Sequence, residues 1–143
     1  MSTENEVREA SVRFYAALNR MLQGDAAGMA EIWSHGEDVT AMHPLGGRDT
    51  GWAQVEGSWA KVAGLATGGS VELRGQRILV AGDLALETGE EHGRGDFGKH
   101  QVLLEQRVTN VYRREGGAWK VVHHHTDISL GLRELVRSMP SGG

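Results

Sequence analysis

The sequence predicts one α+β domain, with helices packed on one face of an antiparallel sheet that curls around them. Two observations lead to this fold class. Apolar residues recur at helical spacing through most of the first 65 residues, with one short strand among them. Alternation of apolar and polar residues then predominates up to residue 127, interrupted by glycine-containing turns. The expected element order is α-α-β-α-β-β-β-β, and helices followed by hairpin-connected strands are typical of α+β folds.

The first predicted helix is long. We expect it to begin at Thr3, because Thr3 and Glu6 have the spacing of a capping box, and to end at Gly24. Its inward stripe comprises Val7, Ser11, Phe14, Leu18 and Met21, flanked by Tyr15 and Leu22. A sheet that curls around this helix would leave a pocket between the two.

Two shorter helices follow the first. Asp25 is expected to cap the second helix. The third helix is predicted over residues 51–65, and its tryptophans recur at helical spacing. Such a stripe usually belongs to the core, so Trp52 and Trp59 are predicted to be buried.

The short strand between the second and third helices carries the most informative residue. The strand is predicted over Val39–Met42 and ends at His43, which precedes Pro44 and a loop up to Thr50. Proline cannot donate to a sheet ladder, and it holds the preceding residue in an extended conformation. His43 therefore lies at a strand end beside a turn, where histidine can transfer protons near neutral pH. A hydrogen-bonded structural role is the alternative.

Four strands are predicted in the second half, over Ser70–Val80, Asp83–Glu91, Lys99–Arg114 and Trp119–Asp127. The glycine-rich segment 88–98 is interpreted as a frayed strand end and loop, and the charges of Glu87 to Arg94 as solvent-exposed. Even positions of the 99–114 strand are the more apolar, so they are predicted to face inward. Asn110 then lies on the buried face, where its amide needs a partner or a ligand.

Three consecutive histidines, His123 to His125, lie in the last predicted strand. On a strand His123 and His125 share one face and His124 takes the other. A metal site would need further ligands from elsewhere in the chain, so hydrogen bonding across the sheet or a place at a dimer surface is preferred, and no metal is predicted. The inward face stays open at this stage, because the apolar residues of this strand support both parities. His124 is preferred as the residue that faces the pocket.

Length and composition exclude several classes of protein. The 143 residues fit a single domain of residues 1–137, with a helical turn over Leu130–Val136 and a flexible tail over 138–143. The net charge is −4 and there is no basic stripe, so no nucleic-acid partner is expected. No apolar run has the length of a membrane span, and no membrane partner is expected. The absence of cysteine fits a cytoplasmic location. Without a phosphate-binding glycine loop, no cofactor is expected.

Two segments carry a resemblance to a known family. The first runs from Asp38-Val39-Thr40 through His43-Pro44 to Gly51 and a Trp-bearing helix. The second and stronger segment, residues 108–125, joins a strand, a charged glycine turn and Trp-Lys-Val-Val-His-His-His. The chain resembles the SnoaL-like branch of the nuclear transport factor 2-like superfamily, which includes ketosteroid isomerases, and it is similar to the association domain of calcium/calmodulin-dependent protein kinase II. This resemblance implies a cone-shaped antiparallel sheet curled around the long N-terminal helix.

The resemblance to ketosteroid isomerases also implies site residues. Their aspartate base just before the proline corresponds to His43, their acidic donor in the penultimate strand to Asn110, and their tyrosine donor to Tyr15. Because base and acid are both changed, the layout is implied rather than the steroid activity. His43 would remove a proton beside a carbonyl, and Asn110 and Tyr15 would stabilise the oxyanion. The predicted ligand-binding residues are Trp33, Trp59, Val108, Tyr112 and His124.

The predicted function is acid–base chemistry of isomerase, cyclase, hydratase or lyase type, on a small hydrophobic carbonyl compound in the conical pocket. The alternative is a non-catalytic ligand-binding or oligomerisation domain, like the kinase association domain. In either case a homodimer is expected, because one sheet face is predicted to carry Leu103, Val111 and Trp119 and needs covering.

Overall fold

The computed structural model describes residues 2–139, and in it the N-terminal helix, α1, spans Thr3–Leu22. The buried face of α1 contains the predicted stripe. The cap differs, because Oγ of Ser2 accepts a hydrogen bond of 3.2 Å from the backbone N–H of Asn5. The capping box predicted at Thr3 and Glu6 is therefore wrong, and adjacent hydroxyl residues at positions 2 and 3 explain the error. No helix within residues 2–139 is both long and apolar enough to cross a membrane.

The other helices and the strands follow in chain order. The helices are α2 (Ala27–Ile32), α3 (Trp52–Leu65) and α4 (Leu130–Ser138). The strands are β1 (Thr40–Met42), β2 (Asp49–Thr50), β3 (Gly68–Ala81), β4 (Leu84–Phe97), β5 (His100–Glu115) and β6 (Ala118–Thr126).

Three boundaries bear on the predictions. The N-cap of α2 is Ala26, so the prediction that Asp25 caps this helix is wrong, although Oδ1 of Asp25 accepts a 2.9 Å hydrogen bond from the N–H of Ala27. Strand β2 lies in the predicted loop, and its two residues are too few for a periodic signal. Helix α4 continues to Ser138, which the prediction placed in a flexible tail. The rest of that predicted tail, residues 140–143, lies outside the described residues.

The strands form one curled, unclosed sheet in the order β2-β1-β6-β5-β4-β3. Helices packed on such a sheet confirm the predicted α+β fold class. Neighbouring strands are antiparallel except β1 and β6, so the prediction of an antiparallel sheet is wrong for that pair. In the parallel pair, Ala41 lies opposite His124 and Met42 opposite His125. This register brings the end of β1, and hence His43, beside the histidines of β6.

Strand β4 continues through the segment that was predicted to be a frayed end and a loop. The glycines of this segment permit close approach of β3 rather than a turn. A β-carbon at Gly93 would collide with the carbonyl oxygen of Ser70, and so would one at Gly69 with that of Arg94. The prediction of solvent-exposed charges over residues 87–94 is also wrong in part, because two of the acids face the interior.

Strands β5 and β6 present alternating residues to the core. The even positions of β5 are buried from Val102 to Tyr112, which confirms the predicted face. In β6 an irregularity in the pairing with β5 leaves Val122 as an extra residue. Trp119 and Val121 are buried before this bulge, and His124 is buried after it. The sequence supported an inward face made of either odd or even residues of β6. Odd residues face inward before the bulge and even residues after it.

The outer face of the sheet carries a row of apolar side chains. Leu79, Leu86 and Val111 lie opposite one another on successive strands, and Leu103 is 66% exposed. Trp119 was predicted to share this face, but it is buried and packs on the interior. The bulge in β6 accounts for the difference, because it separates the parity of Trp119 from that of the later histidines.

Candidate functional site

An apolar cavity of about 80 Å³ lies beside the C-terminal half of α1. The wall combines Leu18, Met21 and Leu22 of α1 with residues of α3, β5 and α4. Helix α4 contributes Leu132 and Leu135. At roughly 10–15 Å³ for each water molecule, the cavity has room for a ligand of about five to eight non-hydrogen atoms. Mostly apolar walls with a few polar groups are typical of small-molecule sites.

The polar side chains in the cavity wall are few. They are His43, Glu91, Gln106 and His124, together with the indole of Trp59. Trp59 contacts both imidazoles, with ring centroids 4.9 Å from His43 and 5.7 Å from His124. The two histidines therefore belong to one wall of the cavity, although they come from different strands.

His43 follows β1 directly and is held by a carboxylate. Its Nε2 lies 2.8 Å from Oδ2 of Asp49, the first residue of β2. Ser58 of α3 donates a second hydrogen bond to the same carboxylate oxygen. An ionised carboxylate only accepts, so Nε2 of His43 carries the proton and Nδ1 of the neutral ring bears a lone pair. This is the geometry of a histidine base oriented by an acid.

The turn after His43 explains how Asp49 reaches it. The N–H of Gly46 donates to the carbonyl oxygen of His43 at 2.9 Å. Gly46 and Gly47 have φ values of 97° and 76°, which residues with a β-carbon rarely adopt. The chain therefore reverses within a few residues, and β2 pairs with β1 so that Asp49 lies opposite Ala41.

His124 is held by an amide rather than by an acid. It is 2% exposed, and its Nδ1 lies 2.6 Å from Oδ1 of Asn110. Burial, reinforced by the neighbouring His43, keeps the pKa of His124 well below its ordinary value. The ring of His124 is therefore neutral at pH 7.

Behind His124 lies a hydrogen-bonded group that we call the polar cluster. It comprises Tyr15, Gln76, Glu87, Glu91, Gln106, Asn110 and Tyr112. Asn110 is fully buried and donates to Glu87 at 3.0 Å and to the hydroxyl of Tyr15 at 3.1 Å. Tyr15 in turn donates to Glu91 at 2.8 Å. Two acids on β4, four residues apart, therefore anchor the cluster.

Glu87 is the acid with the more donors. It is fully buried, yet it accepts hydrogen bonds from Tyr112 at 2.8 Å and Gln76 at 2.6 Å in addition to the one from Asn110. Buried charges are tolerated when hydrogen bonds replace their hydration. Three converging donors indicate that Glu87 is ionised and fixes the orientation of the side chains around it.

Glu91 reaches the cavity wall and is less well stabilised as an anion. It accepts hydrogen bonds from Tyr15 and from Gln106, the latter at 2.9 Å. Burial raises the pKa of Glu91, and these two hydrogen bonds oppose the rise only in part. Two atoms of cavity-wall residues are buried without a partner in the described part of the chain, namely Oε1 of Gln106 and Nε1 of Trp59.

The structure brings the predicted site residues together only in part. His43, Trp59 and His124 line the cavity. The predicted residues that are buried but do not line it are Tyr15, Trp33, Val108, Asn110 and Tyr112. The two predicted oxyanion donors, Tyr15 and Asn110, contact each other in the polar cluster and lie behind His124.

Four further residues of the site were not predicted from the sequence, namely Asp49, Glu87, Glu91 and Gln106. A signal existed for the two glutamates, since they share their parity on β4 with the buried Ala85 and Phe97. Neighbouring charges and glycines concealed that signal.

The other face of β6 shows no metal site. His123 lies 2.6 Å from the hydroxyl of Thr40 through its Nδ1. Within residues 2–139, no three His, Asp or Glu side chains are grouped so that they could hold a metal ion.

The chain is similar to one longer plant protein. The F-box protein SKIP8 of Arabidopsis thaliana is 25% identical over 130 residues, which are 90% of this chain and 52% of that relative. The chain therefore spans about half the length of the relative it matches.

Solved structures show the same fold. An NTF2-like protein from Streptomyces avermitilis, provisionally named a dehydratase, has a TM-score of 0.77 and 27% identity, covering 88% of this chain and 95% of that one. A provisionally named kinase II association domain from Thiobacillus denitrificans has a TM-score of 0.69 and 26% identity, covering 83% and 91%. A provisionally named ketosteroid isomerase from Shewanella frigidimarina shares the fold at 18% identity and a TM-score of 0.66, covering 83% and 92%.

The family assignment rests on the length of the match. A family model described as a SnoaL-like domain matches residues 7–130, which include every helix and strand from α1 to β6 apart from the first turn of α1. This match confirms the resemblance that the sequence motifs indicated. The chain belongs to the SnoaL-like domain family.

Proposed function

We propose that the chain is a cofactor-independent enzyme that removes a proton from the carbon beside a carbonyl group, with His43 as the general base. The observation that carries this proposal is His43, a residue of the apolar cavity wall that is hydrogen-bonded to the carboxylate of Asp49. Asp49 holds the proton of Nε2, leaves Nδ1 free to accept one from the substrate, and stabilises the resulting imidazolium. The apolar wall suits a small hydrophobic substrate, and the reaction class is isomerase, cyclase, hydratase or lyase.

The enolate oxygen formed in this step needs a hydrogen-bond donor. Asn110 and Tyr15 lie behind His124, so we place them in a supporting position rather than against the substrate. Trp59 belongs to the cavity wall, and its buried indole N–H has no partner among the described residues. Trp59 is the donor available to the carbonyl oxygen.

Deuterium exchange tests this proposal directly. Cyclohexanone and related apolar ketones in D₂O should exchange their α-protons faster with the protein than without it, as followed by NMR. His43→Gln should slow the exchange by about 10²–10⁴-fold, the usual contribution of a general base. Asp49→Asn should fall between that variant and the wild type.

The matched control is His125→Gln, because His125 is exposed on the opposite face of the sheet. It should leave the exchange rate unchanged. An unchanged rate in His43→Gln would remove His43 from the reaction. A wild-type protein that exchanges no ketone would contradict the enzymatic function.

A second candidate function is assembly without catalysis. It is favoured by the 26% identity to a provisionally named association domain and by the apolar row on the outer sheet face. We propose that a second copy of the chain covers this row. Sedimentation should then give a dimer for the wild type and a monomer for Leu79→Lys, while Leu130→Lys, at an exposed position of α4, stays dimeric. A monomeric wild type would contradict this assembly.

A further inference from the structure

The polar cluster determines which way the amide of Asn110 points. Glu87 accepts hydrogen bonds from Gln76 and Tyr112 and lies 3.0 Å from Nδ2 of Asn110. An ionised carboxylate has no proton to donate, so Asn110 turns its NH₂ group toward Glu87. Oδ1 of Asn110 is thereby directed toward His124, at 2.6 Å from Nδ1.

The orientation of Asn110 in turn selects one tautomer of His124. Because Oδ1 of Asn110 only accepts, Nδ1 of His124 must donate. The ring is neutral, since burial keeps the pKa of His124 well below its ordinary value. A neutral imidazole carries a single proton, so Nε2 of His124 bears a lone pair. Nε2 makes no hydrogen bond to any of residues 2–139, and the ring belongs to the cavity wall.

Gln106 supplies a second acceptor at the same wall. Its Nε2 donates to Glu91 at 2.9 Å, which leaves Oε1 as the other end of the amide. Gln106 is 7% exposed, and its Oε1 is buried with no partner in the described part of the chain. Buried acceptors in native proteins are normally paired, so this atom calls for a donor from outside the chain, either a ligand group or a water molecule.

We propose that His124 is the specificity-determining residue of the cavity, and that its Nε2 accepts a hydrogen bond from a hydroxyl group of a small apolar ligand. Gln106 offers the second acceptor, while Glu87 and Asn110 are positioning residues that act through His124. Hydroxyl recognition rests on the proposed function in one respect, because it assigns a hydroxyl group to the substrate on which His43 acts. The substrate class is therefore a small hydroxylated carbonyl compound.

The tautomer of His124 is measured by ¹⁵N NMR of the imidazole nitrogens in the full chain. In the wild type, the proton should reside on Nδ1 and Nε2 should be bare between pH 6 and 8. Glu87→Gln can both donate and accept, so it should release the amide of Asn110 and produce a second tautomer. Glu90→Gln, at an exposed position on the same strand, should match the wild type. A wild-type ring with its proton on Nε2, or with protons on both nitrogens, overturns the proposal.

Phenol and toluene form a matched pair of probes, because they differ only in a hydroxyl and a methyl group. The wild type should bind phenol about tenfold more tightly than toluene, which corresponds to one net hydrogen bond. Bound phenol should shift the ¹⁵N resonance of Nε2, and toluene should leave it in place. In His124→Phe the preference should fall to about one. Equal affinities in the wild type, or no binding of phenol, overturn the proposal even where His124→Phe fails to fold.

These readouts separate the two proposals. A preference for phenol without any ketone exchange keeps hydroxyl recognition and removes the catalysis by His43. Ketone exchange that depends on His43, without a preference for phenol, keeps the catalysis and removes the role of His124.

Discussion

Helix α1 contacts two opposite kinds of interior. Its Tyr15 belongs to the polar cluster, where directional hydrogen bonds set the position of each group. From Leu18 onward, α1 lines an apolar cavity whose wall contains unpartnered polar atoms. His124 lies where the two regions meet. The polar cluster orients side chains while the cavity binds a ligand, so a change in the cluster should cost stability through lost hydrogen bonds, and a change in the cavity wall should cost packing and alter recognition.

Glu87→Leu should be the most damaging change to the polar cluster. It removes the acceptor of two buried donors, Asn110 and Tyr112, and of the half-buried Gln76, and each orphaned buried donor costs about 1–3 kcal/mol. Burial of the leucine side chain offsets part of this cost. We therefore expect a loss of about 3–5 kcal/mol in the free energy of unfolding. Denaturant titration measures it, and Glu90→Leu at the exposed neighbour should stay within about 0.5 kcal/mol of the wild type. A loss below about 1 kcal/mol for Glu87→Leu would show that the cluster orients nothing essential.

Leu135→Ala tests the cavity region, where packing rather than hydrogen bonding holds α4. Leu135 is buried against the cavity, and truncating such a side chain costs about 2–3 kcal/mol when the site collapses partly. Leu130→Ala is the matched control, because Leu130 lies on the same helix and is 78% exposed. Thermal unfolding of both variants gives the difference. Equal melting temperatures would mean that α4 does not close the cavity in solution.

His124 lies at the junction between the polar cluster and the cavity, and it should make the free energy of unfolding depend on pH. The pKa of His124 is lowered in the folded chain, so the unfolded chain takes up a proton first. The stability contributed by neutral His124 is full above the unfolded pKa of about 6.5 and is lost as the pH falls toward the folded pKa. Through this group the free energy of unfolding falls by at most about 1.4 kcal/mol for each pH unit.

Unfolding free energies at pH 7.5, 6.5 and 5.5 test this acid response, and His124→Gln should flatten the profile. His100→Gln, at an exposed position, should keep the wild-type slope. A His124→Gln profile that is as steep as the wild type would assign the acid response to other groups.

Glu91→Gln should change the free energy of unfolding least, and it should raise this free energy rather than lower it. The pKa of Glu91 is raised in the folded chain, so its stabilising contribution is full below the unfolded pKa and is lost as the pH rises through the folded one. The amide can still accept from Tyr15, and Oε1 of Gln106 can rotate to accept from the new NH₂ group. We expect a gain of about 0.5–1 kcal/mol at pH 8 and less at pH 5.

Glu105→Gln, at an exposed position of β5, should show no such difference between the two pH values. A Glu91→Gln variant that loses more stability at pH 8 than at pH 5 would mean that the ionised acid is favourable in the cluster.

The predictable parts of this fold are those in which one period runs without interruption. The stripe of α1 and the even face of β5 follow directly from spacing. The inward face of β6 does not follow from spacing, because a bulge at Val122 changes which residues face inward. The bulge can be recognised only from the pairing of β6 with β5. The predicted strand ended at Glu91, before the end of β4, because the glycines that follow were interpreted as turn signals.

The candidate site divides in the same way. His43 could be found because the local pattern of histidine, proline and glycine is informative without tertiary contacts. Its partner Asp49 could not be found from the sequence, since the carboxylate of Asp49 reaches His43 only because the β1–β2 turn brings the two residues together. Glu87 resembled a solvated charge, because three donors from distant parts of the chain, rather than its neighbours, make its burial tolerable.

The parallel pairing of β1 with β6 has a consequence for how the protein is made. The two histidines of the cavity wall, His43 and His124, are 81 positions apart in the chain (124 − 43), so closing the loop between them carries an entropic cost. Such non-local pairing slows folding and occurs late. During synthesis, a ribosome-bound chain lacking β6 would bury much of its apolar surface but have no complete site. We therefore expect ligand binding to report the last step of folding, after compaction, and premature termination before β6 to yield a collapsed but inactive chain.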